Sequence, residues 1–467
     1  MLTETLRRTQ AFGIDADVDF AALRAREFAR LDADSHAYLD YTGSALYPES
    51  LVTAHAELLR GAVLGNPHAE SPASLASSAL IAEARARVLR FLDADPSEYA
   101  VVFTPNATGA LRLVGEAYAF GREAPLVLSA DNHNSVNGLR EHARRAGAAV
   151  HVLPLDEQLR LARPEASLRA LRATHAGQGL LAFPAQSNFS GARHPLSLVR
   201  AARSLGYAVL LDAAAWVPTS PLSLRAVPAD FVALSFYKMF GYPTGVGALV
   251  ARHDALAALR RPWFAGGTVE YVSVQHGTHL LRPGADGFED GTADFLALGA
   301  IGAGLDFLDD VGLDRVRTRV AALTARLVAA LGALTHRDGA PLVRLYGPAD
   351  PCDRGGTVTF NVLDARGDAI PFSDVEARAR AARVSVRGGC FCNPGASEAA
   401  FGFPFEATAR CLAATTRAGW SLERFADCLR GHAVGAVRAS VGIPTSDADL
   451  DRLVEVVAAM ADDPGGR

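Results

Sequence analysis

Lys238 is the only lysine in a chain of 467 residues that carries 46 lysines and arginines together. Arginine equals lysine as a surface charge, but only a primary amine with a tunable pKa condenses with a carbonyl to form a Schiff base. A leftover surface charge is the ordinary account of one lysine. The neighbourhood of Lys238 argues for chemistry instead. Ala233-Leu-Ser-Phe-Tyr-Lys-Met-Phe-Gly-Tyr-Pro-Thr-Gly-Val-Gly-Ala-Leu-Val250 holds an apolar run, a Gly/Pro-rich turn and a second apolar run. That pattern predicts strand, loop, strand, with the amine at a strand end, where ligands of open α/β sheets bind.

Upstream, the apolar Ala208 to Leu211 delivers Asp212. A carboxylate at the end of a buried strand needs a cationic partner. A protonated pyridine nitrogen is such a partner, and a lysine Schiff base with an aspartate on the ring nitrogen is how proteins hold pyridoxal phosphate. Val101 to Leu111 reads as a strand entering a helix, with Ala107 and Thr108 in the first helical turn. Free N–H groups and the dipole at such an end favour a phosphate, although turns of this composition also serve only as caps. Ser235, three residues before the lysine, could add a hydroxyl. His133 follows the apolar Leu126-Val-Leu128 where a strand ends, a place in which a lone histidine is often structural.

The order of Asn106-Ala-Thr, Asp131-Asn-His, Gln186-Ser-Asn-Phe-Ser-Gly191, Asp212-Ala-Ala-Ala and Ser235-Phe-Tyr-Lys resembles the class V family of pyridoxal-phosphate enzymes. Within it the chain is similar to the sulfurase domain of molybdenum cofactor sulfurases, relatives of cysteine desulfurases. The resemblance runs from about Tyr38 to Leu453. It is carried most specifically by Ser235-Phe-Tyr-Lys-Met-Phe-Gly-Tyr-Pro-Thr-Gly245 and Gly389-Cys-Phe-Cys-Asn-Pro-Gly395. It implies that Lys238 tethers the cofactor, Asp212 keeps its ring nitrogen protonated, His133 stacks on the ring and Asn188 hydrogen-bonds the phenolic oxygen. Ala107, Thr108 and Ser235 would bind the phosphate. Thr292, in Phe288-Glu-Asp-Gly-Thr292, looks like the threonine that the family reaches across a dimer interface to that phosphate.

Cys390 and Cys392 flank Phe391, so on an extended segment both would face one side. No further Cys or His lies close enough in sequence to suggest a metal, and a disulfide between residues two apart would be strained. A thiol nucleophile is left, with Arg387 nearby to favour the thiolate and glycines to make the segment mobile. A buried, inert cysteine pair is the alternative. Arg387-Gly-Gly-Cys-Phe-Cys392 resembles the Arg-x-Gly-x-x-Cys segment of one cysteine desulfurase group, whose last cysteine carries the persulfide. That resemblance makes Cys392 the sulfur acceptor. Arg438 sits inside the apolar strand pattern Gly435 to Gly442 and needs an anion there. It matches the family arginine that grips the amino acid carboxylate, and a structural salt bridge is the other reading.

The elements that must position these groups alternate between short apolar runs and longer Ala/Arg/Leu stretches. This predicts an α/β fold with a mainly parallel sheet, and the resemblance implies fold type I with a seven-stranded-type large sheet plus a smaller α+β domain. We expect an N-terminal segment at 1–39 that contributes to the small domain, a large cofactor domain at 40–300, and the small domain at 301–467. A long helical pattern from Leu298 to Leu334 should join the two. A net charge of -5 with dispersed arginines shows no nucleic-acid face. Five cysteines, no apolar run long enough for a bilayer and a Met1–Arg8 stretch unlike a signal peptide suggest a soluble, cytoplasmic protein.

The implied reaction is that of a desulfurase: L-cysteine gives alanine and a persulfide on Cys392 for transfer to an acceptor, in a likeness that also implies a homodimer. The alternatives are a pyridoxal-phosphate C–S lyase or aminotransferase on another amino acid, and a noncatalytic cofactor-binding protein. Departures from the pattern are Ser397 in place of a sulfurase cysteine, Ala215 and Tyr237 in place of a desulfurase glutamine and histidine, and a longer insert at 393–437. The chain stops at Arg467 without the second domain of the sulfurases, so the acceptor is expected on a separate partner.

Overall fold

The computed structural model describes residues 19–429 and 433–461; the Met1–Arg8 reading lies outside these described residues, as do residues 1–18 of the 1–39 segment, whose strand is Ala37–Tyr38. The apolar runs pair into a seven-stranded sheet. Its order in space is Tyr99–Thr104, Gly247–Arg252, Phe231–Ser235, Ala208–Asp212, Leu180–Pro184, Leu126–Ser129 and Val150–Leu153. Only Gly247–Arg252 runs against its neighbours; the remaining pairs are parallel. Parallel strands are covered on both faces, which is why Leu180–Pro184 and Phe231–Ser235 are apolar and buried without alternation.

The chain enters this sheet at one edge, crosses to the far side and then returns strand by strand. The carboxyl ends of Leu126–Ser129, Leu180–Pro184, Ala208–Asp212 and Phe231–Ser235 therefore open on one crevice, facing the helix Ala107–Ala117. Register is close there: Pro184 pairs with Asp212, and Asp212 with Ala233.

A second sheet, all antiparallel, orders Val343–Tyr346, Thr357–Val362, Ala436–Ser440 and Arg387–Gly389. Ala37–Tyr38 pairs in parallel with Val384–Ser385, so the N-terminal stretch does join this later part of the chain. On this segregation of the two sheets we propose domain boundaries near 40 and 300.

Three local expectations are corrected. Gly312, at φ 82 and ψ 110, breaks the 298–334 pattern into two helices, Phe295–Val311 and Leu313–Gly332. Lys238 lies not in a loop but in a short helix, Phe236–Phe240, closed by Gly241 in the left-handed region at φ 77. Residues 390–392 are not extended: Phe391 and Cys392 have φ 55 and 57, so strand alternation does not set Cys390 and Cys392 on one face. In the 393–437 insert, a disulfide joins Cys411 to Cys428 across the helices Phe405–Arg417 and Leu422–Cys428. Such a bond is at odds with the reducing compartment expected from cysteine usage. No described helix is long and apolar enough to cross a membrane, and no three His, Cys, Asp or Glu among the described residues are grouped to hold a metal.

Candidate active site

Six of the implied cofactor residues and the tethering lysine share one pocket at the strand ends: Ala107, Thr108, His133, Asn188, Asp212, Ser235 and Lys238. The strand Phe231–Ser235 delivers Ser235, and the short helix after it turns Lys238 inward. Gly241 ends that helix against other backbone, since a Cβ there would stand 2.4 Å from Tyr47 N. Burial depresses the Lys238 ammonium pKa; Asp212 works against this, and Arg438 and Arg387 add to it. A depressed amine is a free base, and hence a nucleophile, over more of the neutral range. Asp212 closes the strand Ala208–Asp212 and accepts from Ala214 N at 3.0 Å. His133 is pushed below its usual pKa, first by burial and then by Lys238 and Arg438 against an opposing Asp212.

At the other end of the pocket Asn106 caps the helix Ala107–Ala117 by accepting from Gly109 N at 3.0 Å. Ala107 N donates to Ser235 Oγ at 2.9 Å, and Thr108 Oγ1 lies 2.8 Å from Ser135 Oγ. A helix N-terminus with three hydroxyls converging on it has the donors to hold a phosphate. Ser135, whose Oγ also meets His133 Nδ1 at 3.0 Å, went unnoticed in the sequence, though its place two residues after His133 was a signal. Gln186 Oε1, buried among the lining residues, has no hydrogen-bond partner. Thr292 is not in this pocket. It borders a cleft on the outer side of Pro105 and Gly109, with Asn66 Nδ2 3.4 Å from its Oγ1.

The third part of the site comes from the antiparallel sheet. Arg387 and Arg438 stand directly opposite each other on neighbouring strands. Like charges in that position repel, and Asp40 lies between them. Its Oδ2 accepts from Arg387 Nη2 at 2.6 Å, and its Oδ1 from Arg438 Nη2 at 3.0 Å. A bridge from Asp40 to Ser440 sets that position. The Asp40 hydrogen bond raises the Arg387 pKa, whereas burial lowers that of Arg438. Arg438 Nη1 also donates to Asn188 O at 2.9 Å, and its guanidinium lies over the Phe391 ring at 4.9 Å. The salt bridge weighed for Arg438 is therefore present. Nothing in the sequence singled out Asp40, because its partners lie more than 340 residues away.

The Cys392 segment arches over the same region. Through Phe391 it meets both Asn188, which lines the pocket, and the Arg438 guanidinium. Cys392 is exposed and Cys390 half-buried. The expected mobility gives way to a pinned arch. Asn188 Nδ2 donates to Phe391 O at 2.7 Å, Asn134 N donates to Cys392 O at 2.7 Å, and the Phe391 ring packs against Phe189.

The aminotransferase class-V family profile matches residues 37–453. Molybdenum cofactor sulfurase of Bos taurus is 35% identical over 466 residues, which cover 94% of this chain and 51% of the relative. Molybdenum cofactor sulfurase of Arabidopsis thaliana is 34% identical, covering 96% of this chain and 59% of the relative. The chain thus spans about half to three-fifths of the length of these curated relatives. Among solved structures, the apo cysteine desulfurase from Thermococcus onnurineus NA1 superposes with a TM-score of 0.77 at 24% identity, covering 94% of this chain and 97% of that one. The cysteine desulfurase CsdA from Escherichia coli gives 0.73 at 21% identity, covering 95% and 98%. These likenesses show the expected fold, an α/β architecture shared with the desulfurases.

Proposed function

The chain belongs to the aminotransferase class-V family, and from that premise we propose that it is a pyridoxal-phosphate cysteine desulfurase-like sulfurtransferase. The observation that carries this reading is the convergence of Lys238, Asp212, His133 and the capped helix N-terminus on one pocket, with the Cys392 arch pinned to Asn188 in its lining. The residues fit the cofactor: the cradle of Ala107, Thr108 and Ser235 suits a phosphate, Asp212 a pyridinium, and the depressed Lys238 amine an aldehyde. When bound, the cofactor supplies the electron sink that allows negative charge to develop at the substrate α-carbon.

The chain's own groups do the rest. Arg438 and Arg387 receive the substrate carboxylate in competition with Asp40. The free Lys238 amine takes the α-proton, and His133, which lines the pocket, would bound the cofactor ring. Cys392 thiolate attacks the γ-sulfur of L-cysteine; a sulfur–sulfur bond forms, the Cβ–S bond breaks with its electron pair going to Cβ, and Cβ takes a proton. Lys238 returns a proton to the α-carbon, alanine leaves, and Cys392 keeps the persulfide for a separate acceptor, protein or small molecule.

We extend the proposal to a homodimer that brings Thr292 to the other copy's phosphate cradle. Supporting it is a hairpin, Val269–Ser273 with Thr278–Leu281, that carries exposed Tyr271, Val272, Val274 and Leu280 beside Trp263 and Phe264, an apolar surface of the kind that marks contacts between chains. A persulfide also calls for a reducing, cytoplasmic setting, in which the Cys411–Cys428 bond would open.

Incubation with L-cysteine and a reductant, followed by alanine and sulfide assays, tests the reaction. Cys392→Ser should abolish both products, a loss of at least about a hundredfold, while the cofactor stays bound. Undiminished turnover in that variant would favour a lyase or an aminotransferase.

A further inference from the structure

Behind the Cys392 arch lies a buried polar cluster to which the proposed reaction gives no role. Asp131, fully buried, receives Ser187 Oγ and Asn393 Nδ2 on Oδ1, each at 2.7 Å, and His194 Nε2 on Oδ2 at 2.8 Å. Asn393, also fully buried, begins the helix Pro394–Phe401 with its Oδ1 accepting from Ala396 N at 3.2 Å. Its Nδ2 donates to Asn188 Oδ1 at 3.0 Å as well as to Asp131. Gly395 packs so closely that a Cβ would stand 2.2 Å from Ala130 O, which fixes the arch against the segment bearing Asp131.

Donor and acceptor chemistry makes this chain directional. A backbone N–H can only donate, so the Asn393 atom facing Ala396 is oxygen and its amino group must face Asp131 and Asn188. Asn188 then accepts with its oxygen, which turns its own amino group toward Phe391 O and leaves the second N–H for the Lys238 pocket, which Asn188 lines.

We propose that Asp131 and Asn393 are positioning residues: they fix the direction in which the Asn188 amide faces the pocket and hold the backbone on both sides of Cys392. This rests on the desulfurase reading for what Asn188 and Cys392 do, but not for the orientation itself.

The decisive variant is Asn393→Asp. It has the same size and caps a helix as well as asparagine, but it sets a carboxylate against Asp131 and the Asn188 oxygen. Three readouts are needed. In cofactor-free protein, amide hydrogen exchange of peptide 390–397 should speed up by about tenfold or more. In holoenzyme, the pH midpoint of the cofactor's visible absorbance should move by about half a unit or more, in the direction given by Asn188→Ala. At saturating cysteine, kcat should fall by about tenfold or more with KM changed less than about threefold. Asn393→Ser, which still caps but is too short to reach Asn188, should move the midpoint the same way and keeps the test open if the first variant does not fold.

An unmoved midpoint in Asn393→Asp and Asn393→Ser, even with faster exchange, overturns the proposal, because a plain helix cap would give that result. An unmoved midpoint in Asn188→Ala overturns it too. Wild-type protein that makes no persulfide would sink the desulfurase reading and leave both orientation readouts standing.

Discussion

Lys238 shows how one residue's type can be decisive. Its environment could be guessed from Asp212 alone, but the sign of its pKa shift could not, because burial and two arginines outweigh the carboxylate. In cofactor-free protein the pH midpoint for acylation of Lys238, the chain's sole ε-amine, should therefore lie below 10.5. Asp212→Ala should move it further down, since Asp212 is the group that raises it. A midpoint at the ordinary lysine value would contradict the buried pocket. Arg438 was legible as a cation needing an anion, yet the anion is Asp40, nearly 400 residues earlier. Residue type announced the need, but only the fold supplied the partner.

At the scale of elements, period and punctuation placed the strands Ala208–Asp212 and Phe231–Ser235. They misjudged the segments around Lys238 and Cys392, where a five-residue helix and two successive left-handed residues are too short or too local to leave a periodic trace. Gly241 joins the two levels, because the turn that releases the chain from the Lys238 helix must pass the backbone of Leu46 and Tyr47. Gly241→Ala should destabilise the protein by about 2 kcal/mol or more, from positive φ and the backbone clash together. Cofactor occupancy should fall with it, as thermal melting and visible absorbance can both record. An unaltered melt would mean that the turn has room to relax.

At the scale of the whole molecule, two sheets are tied together by buried polar contacts rather than by apolar packing alone. Arg354, 2% exposed, donates to the carbonyls of Pro348, Ser190, Tyr346 and Thr357 and so knots the strand Thr357–Val362 to the loop after Leu180–Pro184. Thr292 lies outside the Lys238 pocket of its own chain, and the proposed homodimer would bring it to the phosphate cradle of a second copy. Sedimentation should give twice the chain mass, and Thr292→Ala should weaken cofactor binding by about tenfold while leaving the assembly intact. A monomer with full cofactor affinity would refute that arrangement. The sequence by itself determined the cofactor chemistry and the α/β class, because a lone lysine, a strand-end aspartate and a glycine-punctuated turn act through neighbours a few residues away. The tertiary structure alone decided the Asp40 clamp, the Asp131–Asn393–Asn188 chain and the pinning of Cys392. Each joins groups between about 50 and 400 positions apart, and neither periodicity nor propensity carries information over that separation.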